Sequence, residues 1–220
     1  MPLFFIISGF LSRDESFGST IKKAFKSLLV PYFFFNAVLL CFTLLLEYKS
    51  GHLSFQTIWS HIIPIFIGLG YKTANYNPVC TTMWFFYVLF LIKTFSALVG
   101  TNHLKRIAIS IVSIILVYVL NRKGINTDFP IDSFLMAFPL YVWGGFLRQI
   151  SKRLSCEKYK QYSFSLLVLP IMFLCSIRNG RVDIDVFKYG NSLCLFYLNS
   201  ITICSILIIS VLPIIGGAKL

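Results

Sequence analysis

The chain has 220 residues and a formal net charge of +12, yet only 13% of it is charged while 57% is hydrophobic and 17% aromatic. That is more apolar surface than the single core of a soluble domain of this length can hide, which argues against a water-soluble globular protein. The basic residues are spread over several short connections and form no one patch, so nucleic-acid binding does not account for the charge.

In chain order, Met1 to Leu11 (MPLFFIISGFL) is apolar from its first residues but too short to span a bilayer. It lacks the basic n-region and small-residue cleavage site of a signal peptide, and it reads as the inner half of a helix. A basic stretch from Ser12 to Ser27 leads into Leu28 to Leu46, which is long enough for a hydrocarbon core of roughly 30 Å. Trp59 to Gly70 is apolar but short and contains Pro64, which suits a re-entrant or interfacial piece on the outer side better than a span. Thr82 to Val99 and Leu193 to Ile215 again have spanning length. Ile107 to Leu120, Phe134 to Leu147 and Phe164 to Ile177 are shorter and would draw on their flanks. The expected fold class is all-α: one polytopic transmembrane helical bundle over residues 1–220, with about six full spans, the N-terminal partial helix and the short outer segment.

Orientation follows from the cations. Arg13, Lys22, Lys23, Lys26, Lys105, Arg106, Arg148, Lys152, Arg153, Lys158, Lys160 and Lys219 fall on one side of this arrangement, which should face the cytoplasm. The other side holds fewer cations and most of the acids, among them Glu47, Asp128, Asp132, Asp183 and Asp185. Cys41, Cys175, Cys194 and Cys204 lie within apolar spans, Cys156 falls inside and Cys80 near the outer surface. No pair has Cys-x-x-Cys spacing, so neither a disulfide framework nor a metal site is expected. The chain also lacks a Gly-rich phosphate loop, a nucleophile elbow and a His-Glu-x-x-His motif.

Five local patterns remain, and they stand in one order. MPLFFIISGFL at the start, IKKAFKSLLVPY from Ile21 to Tyr32, MWFFYVLFLIK from Met83 to Lys93, FPLYVWGGFLR from Phe138 to Arg148, and Asn179 to Asp183 followed by Tyr189 to Asn191 each resemble segments of the bacterial acyltransferase 3 family. These are membrane O-acyltransferases that modify cell-surface sugars. Each pattern alone is weak, because aromatic runs are common in membrane helices; five in register cover nearly the whole chain. The resemblance implies about ten helices in the family, of which this chain would supply the second to the eighth.

The resemblance further implies acetyl-CoA as donor, no metal, and a surface polysaccharide or lipid-linked sugar as acceptor, in a multi-pass protein of the bacterial inner membrane among its lipids. The family's base is a histidine in an Arg-x10-His arrangement on a first helix that has no counterpart here. It is expected upstream of Met1, no catalytic residue is expected within the chain, and these 220 residues alone are expected to lack acetyltransferase activity. Acyl transfer needs a base for the hydroxyl proton and a cationic cradle for the donor phosphates. Lys23 and Lys26, three apart at the start of a helix, stand where the family shows Arg-x-x-Arg and are the expected donor-binding pair. Lysine keeps the charge but loses the bidentate fork. The other reading is that these lysines only set topology.

Ser8, beside Gly9, is a candidate substrate contact by resemblance and a small packing residue by its own chemistry. Trp84 could stack on a sugar ring or anchor at headgroup depth; Asn179 and Asn191 are candidates for acceptor hydroxyls. Lys93 lies within a span, where it is a functional candidate or snorkels to the interface. His61, beside Pro64, reads as structural. A polytopic transporter or polysaccharide-export component is the alternative function, and a non-catalytic membrane scaffold is a third. Repeat symmetry or helices broken near the midplane would favour the transporter, and the sequence shows no clear sign of either.

Overall fold

A computed structural model describes residues 2–13, 15–52, 54–68, 83–125, 130–153, 170–184 and 187–215, with side chains to 150 and 208 in the fifth and last of these ranges. The described residues are helical and contain no β-strand. The helices are α1 (Pro2–Phe10), α2 (Phe17–Ala24), α3 (Val30–Lys49), α4 (Phe55–Ile67), α5 (Trp84–Val99), α6 (His103–Arg122), α7 (Ile131–Arg153), α8 (170–179) and α9 (Leu193–Ile215).

Helix α7 is central and touches α1, α5, α6 and α9. Its Met136, Ala137, Phe138 and Leu140 are fully buried, and the core grows around them from Phe5 and Ile6 of α1, Val88 and Ile92 of α5, Val117 of α6 and Phe196 of α9. Pairing α1 with α7 depends on glycine. A Cβ on Gly9 would collide with the Tyr141 carbonyl, and one on Gly144 with that of Ile6. The two backbones therefore approach as closely as small residues allow, which gives Gly9 and Gly144 a packing role.

Helices α2 and α3 form one continuous helical segment, Phe17–Lys49. Much of the connection expected between Ser12 and Ser27 is thus helical. Phe25–Leu29 forms a π-helical turn, where the Val30 N–H reaches back to the Phe25 carbonyl. Pro31 supplies the reason, since its ring crowds the carbonyl four residues earlier, at Ser27, and it has no N–H to bond it.

Helix α4 begins four residues before the expected segment. Ser54 caps it by accepting from the Thr57 N–H at 3.1 Å, and Gly68 closes it in the left-handed region. It folds back along α3, held by Glu47 Oε1 to His61 Nε2 at 2.7 Å and by the Tyr32 hydroxyl donating to the Ile65 carbonyl at 2.8 Å. Its 13 residues span about 20 Å, less than a hydrocarbon core. The ends of the expected stretches at Gly70, Thr82 and Phe164 lie outside the described residues.

Two helices, Phe17–Lys49 and His103–Arg122, are long and apolar enough to cross a membrane. Phe34, Phe42, Leu45 and Leu46 on the first, and Ile111, Val112 and Ile115 on the second, point outward. Outward apolar faces of this extent fit contact with lipid and not with water.

Candidate functional site

One end of the bundle is built where α1 and α5 stop, α6 starts and α7 runs past. Arg148 of α7 donates through Nη1 to the Ser12 carbonyl just beyond α1, and the Tyr141 hydroxyl donates to Ser12 Oγ at 2.9 Å. Arg106 donates through Nε to the Gly100 carbonyl at the end of α5, at 2.8 Å. Gln149 Nε2 lies 3.1 Å from His103 Nε2. Between these groups is a cavity of about 670 Å³, within the size range of small-molecule sites. Arg13, Arg106 and Arg148 line it, and none of the described lining residues is acidic. Its other walls mix apolar side chains, among them Ile114, Val142 and Trp143, with Ser96 and Ser110.

A second cavity, of about 420 Å³, lies at the opposite end between α1, α8 and α9. Ser176, Asn179, Asp183, Asn199 and Ser200 supply its polar wall. The loop from α8 to α9 is tightly bonded there. Asp183 and Lys188 form an antiparallel bridge, and the loop reaches the neighbouring helices through Ser133 Oγ donating to the Ile184 carbonyl and Asn121 Nδ2 to the Phe187 carbonyl.

The expected donor pair does not reach the first cavity. Lys23 is exposed and donates to Glu15 Oε1 at 2.7 Å, while Lys26 lies exposed in the π-helical turn, and neither lines the cavity. The π-helical turn begins at Phe25, just after Lys23, and includes Lys26. The Lys23 hydrogen bond, followed by that of Ser19, holds the Glu15 carboxyl below the ordinary carboxylate range.

The expected substrate contacts separate as well. Asn179 lines the second cavity, but its amide is engaged by the loop: Nδ2 donates to the Tyr189 carbonyl at 2.8 Å and Oδ1 accepts from the Ser192 N–H at 2.9 Å. Asn191 is exposed and donates to the Arg178 carbonyl at 3.0 Å. Trp84 is buried against Phe5, with ring centroids 6.5 Å apart, and Ser8 is half-buried on α1; neither lines either of these two cavities. Lys93 is half-buried on α5 and also lies off both cavities.

Sequence reasoning counted Arg13, Arg106 and Arg148 only as topology charges. One signal was present. Lys105 and Arg106 occupy the first turn of α6, which has no acid there, although cations are disfavoured at the positive end of a helix dipole.

Comparison with known proteins supplies the family. The acyltransferase 3 family model, described as an acyltransferase domain, matches residues 1–211. The chain belongs to this family. No curated protein and no solved structure matches it. As a member of a membrane acyltransferase family, the chain presents an outward apolar surface on α3 and α6 and a basic cavity at one end.

Proposed function

We propose that the protein takes part in moving an acetyl group from acetyl-CoA to a hydroxyl of a cell-surface polysaccharide or lipid-linked sugar, as a multi-pass protein of the bacterial inner membrane. The observation that carries this reading is the pairing of the family match with a cavity lined by Arg13, Arg106 and Arg148 and by no described acid. Helices α1, α5 and α7 run toward that end and α6 runs away from it. The basic end would face the cytoplasm, where acetyl-CoA is found, by the rule that cations flank the inner side.

In this reading the donor enters the basic cavity and the acceptor approaches from the opposite end, where Asn179 and Asn191 shape the loop and Trp84 and Ser8 support the adjoining helices. Lys23 and Lys26 add positive potential on the approach to the donor side. The reaction forms a bond from the sugar oxygen to the acetyl carbonyl carbon and breaks the carbon–sulfur bond. The hydroxyl proton passes to a base and the sulfur leaves as coenzyme A thiol. No described residue is given the role of base. His61 is bound to Glu47, and His103 sits beside Gln149 at the cavity on the donor side.

Deleting the gene and measuring alkali-labile acetyl esters on the envelope glycans by mass spectrometry tests the proposal. Loss of those esters, restored by the gene in trans, is the expected result; an unchanged ester content overturns it. Topology has its own test, in a background lacking the six native cysteines. A cysteine at Lys23 should resist a membrane-impermeant thiol reagent in intact cells, whereas one at Arg122 should react.

A further inference from the structure

We infer that the second cavity is a sugar subsite for a neutral glycolipid, with Asp183, Ser176 and Ser200 binding its hydroxyls and its apolar anchor laid along α9. This rests on the transfer reading above and narrows its acceptor to a lipid-linked sugar that carries no charge at the binding end.

The first argument is the face that α9 presents. Phe196, Asn199, Ser200, Ile203, Cys204 and Leu207 line the cavity, a spacing of three and four that keeps them on one side of the helix over about 16 Å. Polarity changes along that face. Asn199 and Ser200 stand toward the loop from α8, and Ile203, Cys204 and Leu207 follow toward the middle of the helix. An occupant matched to this wall is polar at one end and apolar at the other.

Charge is the second. Asp183 is the only charged residue among the described residues of the lining. A carboxylate repels phosphate, so neither coenzyme A nor a phospholipid headgroup suits this cavity. It accepts hydrogen bonds through both oxygens, which adjacent sugar hydroxyls can supply together. Arg181 approaches Asp183 Oδ2 at 3.5 Å, but its side chain is 88% exposed, and a surface contact of this kind contributes little.

The third argument separates groups that hold the walls from groups left for a ligand. The Asn199 amide spans α8, its nitrogen 3.3 Å from the Met172 carbonyl and its oxygen 3.1 Å from the Ser176 nitrogen, so Asn199 is a positioning residue that ties α9 to α8. No bond joins the Ser176 or Ser200 hydroxyl to another described residue, and both line the cavity with Asp183. A hydrocarbon occupant would leave these groups unmatched. Water would leave the apolar part of the α9 face unmatched.

Calorimetry on the 220-residue chain in nanodiscs of zwitterionic lipid, with empty nanodiscs as the blank, tests this with hexyl glycosides of glucose, galactose, mannose and N-acetylglucosamine. Hexyl glucuronide, hexanol and the four free sugars are the controls. At least one neutral hexyl glycoside should bind roughly tenfold more tightly than hexanol, the glucuronide and its own free sugar. Asp183→Asn should weaken that binding by roughly tenfold and reduce the discrimination against the glucuronide, a change of selectivity that lost packing would not produce. Ser200→Ala should cost roughly fivefold. The wild-type ligand series stands even if a variant fails to fold. The inference is overturned if no neutral glycoside is preferred to hexanol, if the glucuronide binds as well, or if both folded variants retain full affinity. A free sugar that binds as tightly as its hexyl glycoside overturns the lipid-linked assignment. Preferential glycoside binding together with unchanged glycan esters in the deletion strain would leave the sugar subsite standing and remove the transfer reading. Lost esters with no glycoside binding would do the reverse.

Discussion

Two clusters of cations adjoin the end of α1, and they differ in what surrounds them. Lys23 and Lys26 lie on the outside of the α2 segment, in solvent, with Glu15 already bonded to Lys23. Arg13, Arg106 and Arg148 come from three separate parts of the chain and line one cavity, two of them bonded to backbone carbonyls. In sequence the lysines are the more conspicuous group, because they are close together. Proximity along a chain is a poor guide to a binding site when tertiary packing can bring distant residues to one cavity.

The largest way to break the contrast is to separate α1 from α7, since that pairing delivers both Arg13 and Arg148. Gly9→Leu forces a side chain into the Tyr141 backbone and should cost about 3 kcal/mol or more, read as loss of monodisperse protein in detergent. A variant that keeps its melting temperature would show that close backbone approach is not what assembles the cavity. Arg148→Met acts on the same junction through one side chain. Losing the bond to the Ser12 carbonyl should cost about 2 kcal/mol in denaturant titration, with the lysine segment still helical.

Tyr141→Phe removes only the hydroxyl that meets Ser12 Oγ and should cost about 1 kcal/mol by the same measurement. The lysines should respond differently. Lys23→Ala with Lys26→Ala should change stability by less than about 0.5 kcal/mol, because both side chains are exposed. It should weaken acetyl-CoA binding more than either change alone, with a deficit that shrinks as salt screens the potential. Unchanged donor affinity would return these lysines to a purely topological role.

The smallest effect is a titration. Glu15 is held below the ordinary carboxylate range by Lys23 and then Ser19, so any stability it contributes is present above its unfolded pKa and lost as pH falls through the lowered folded value. Lys23→Ala should move the Glu15 midpoint upward by carboxyl NMR. An unmoved midpoint would mean that the Lys23–Glu15 pair does not persist in solution.

Much of the helical fold was legible in the sequence. The apolar stretches at Leu28 to Leu46 and Leu193 to Ile215 fall within helices, and α6 and α7 extend beyond their expected stretches by recruiting flanking polar residues. Helix formation satisfies backbone polar groups locally, so length and composition suffice to foresee it where lipid is the solvent. The π-helical turn was less visible, because it depends on how the Pro31 ring is accommodated within an otherwise continuous segment.

By itself, the sequence determined an apolar, basic, all-helical chain and, through five motifs in one order, its family. Tertiary structure decided which cations share a cavity, that Gly9 and Gly144 serve as contact surfaces, and that Asn179 bonds its own loop. The physical reason is range. Hydrophobicity and backbone hydrogen bonding act on neighbouring residues and can be read along the chain. A cavity wall assembled from Arg13, Arg106 and Arg148 depends on helix crossings set by the shapes of surfaces more than 130 residues apart in sequence, such as Ser12 and Arg148.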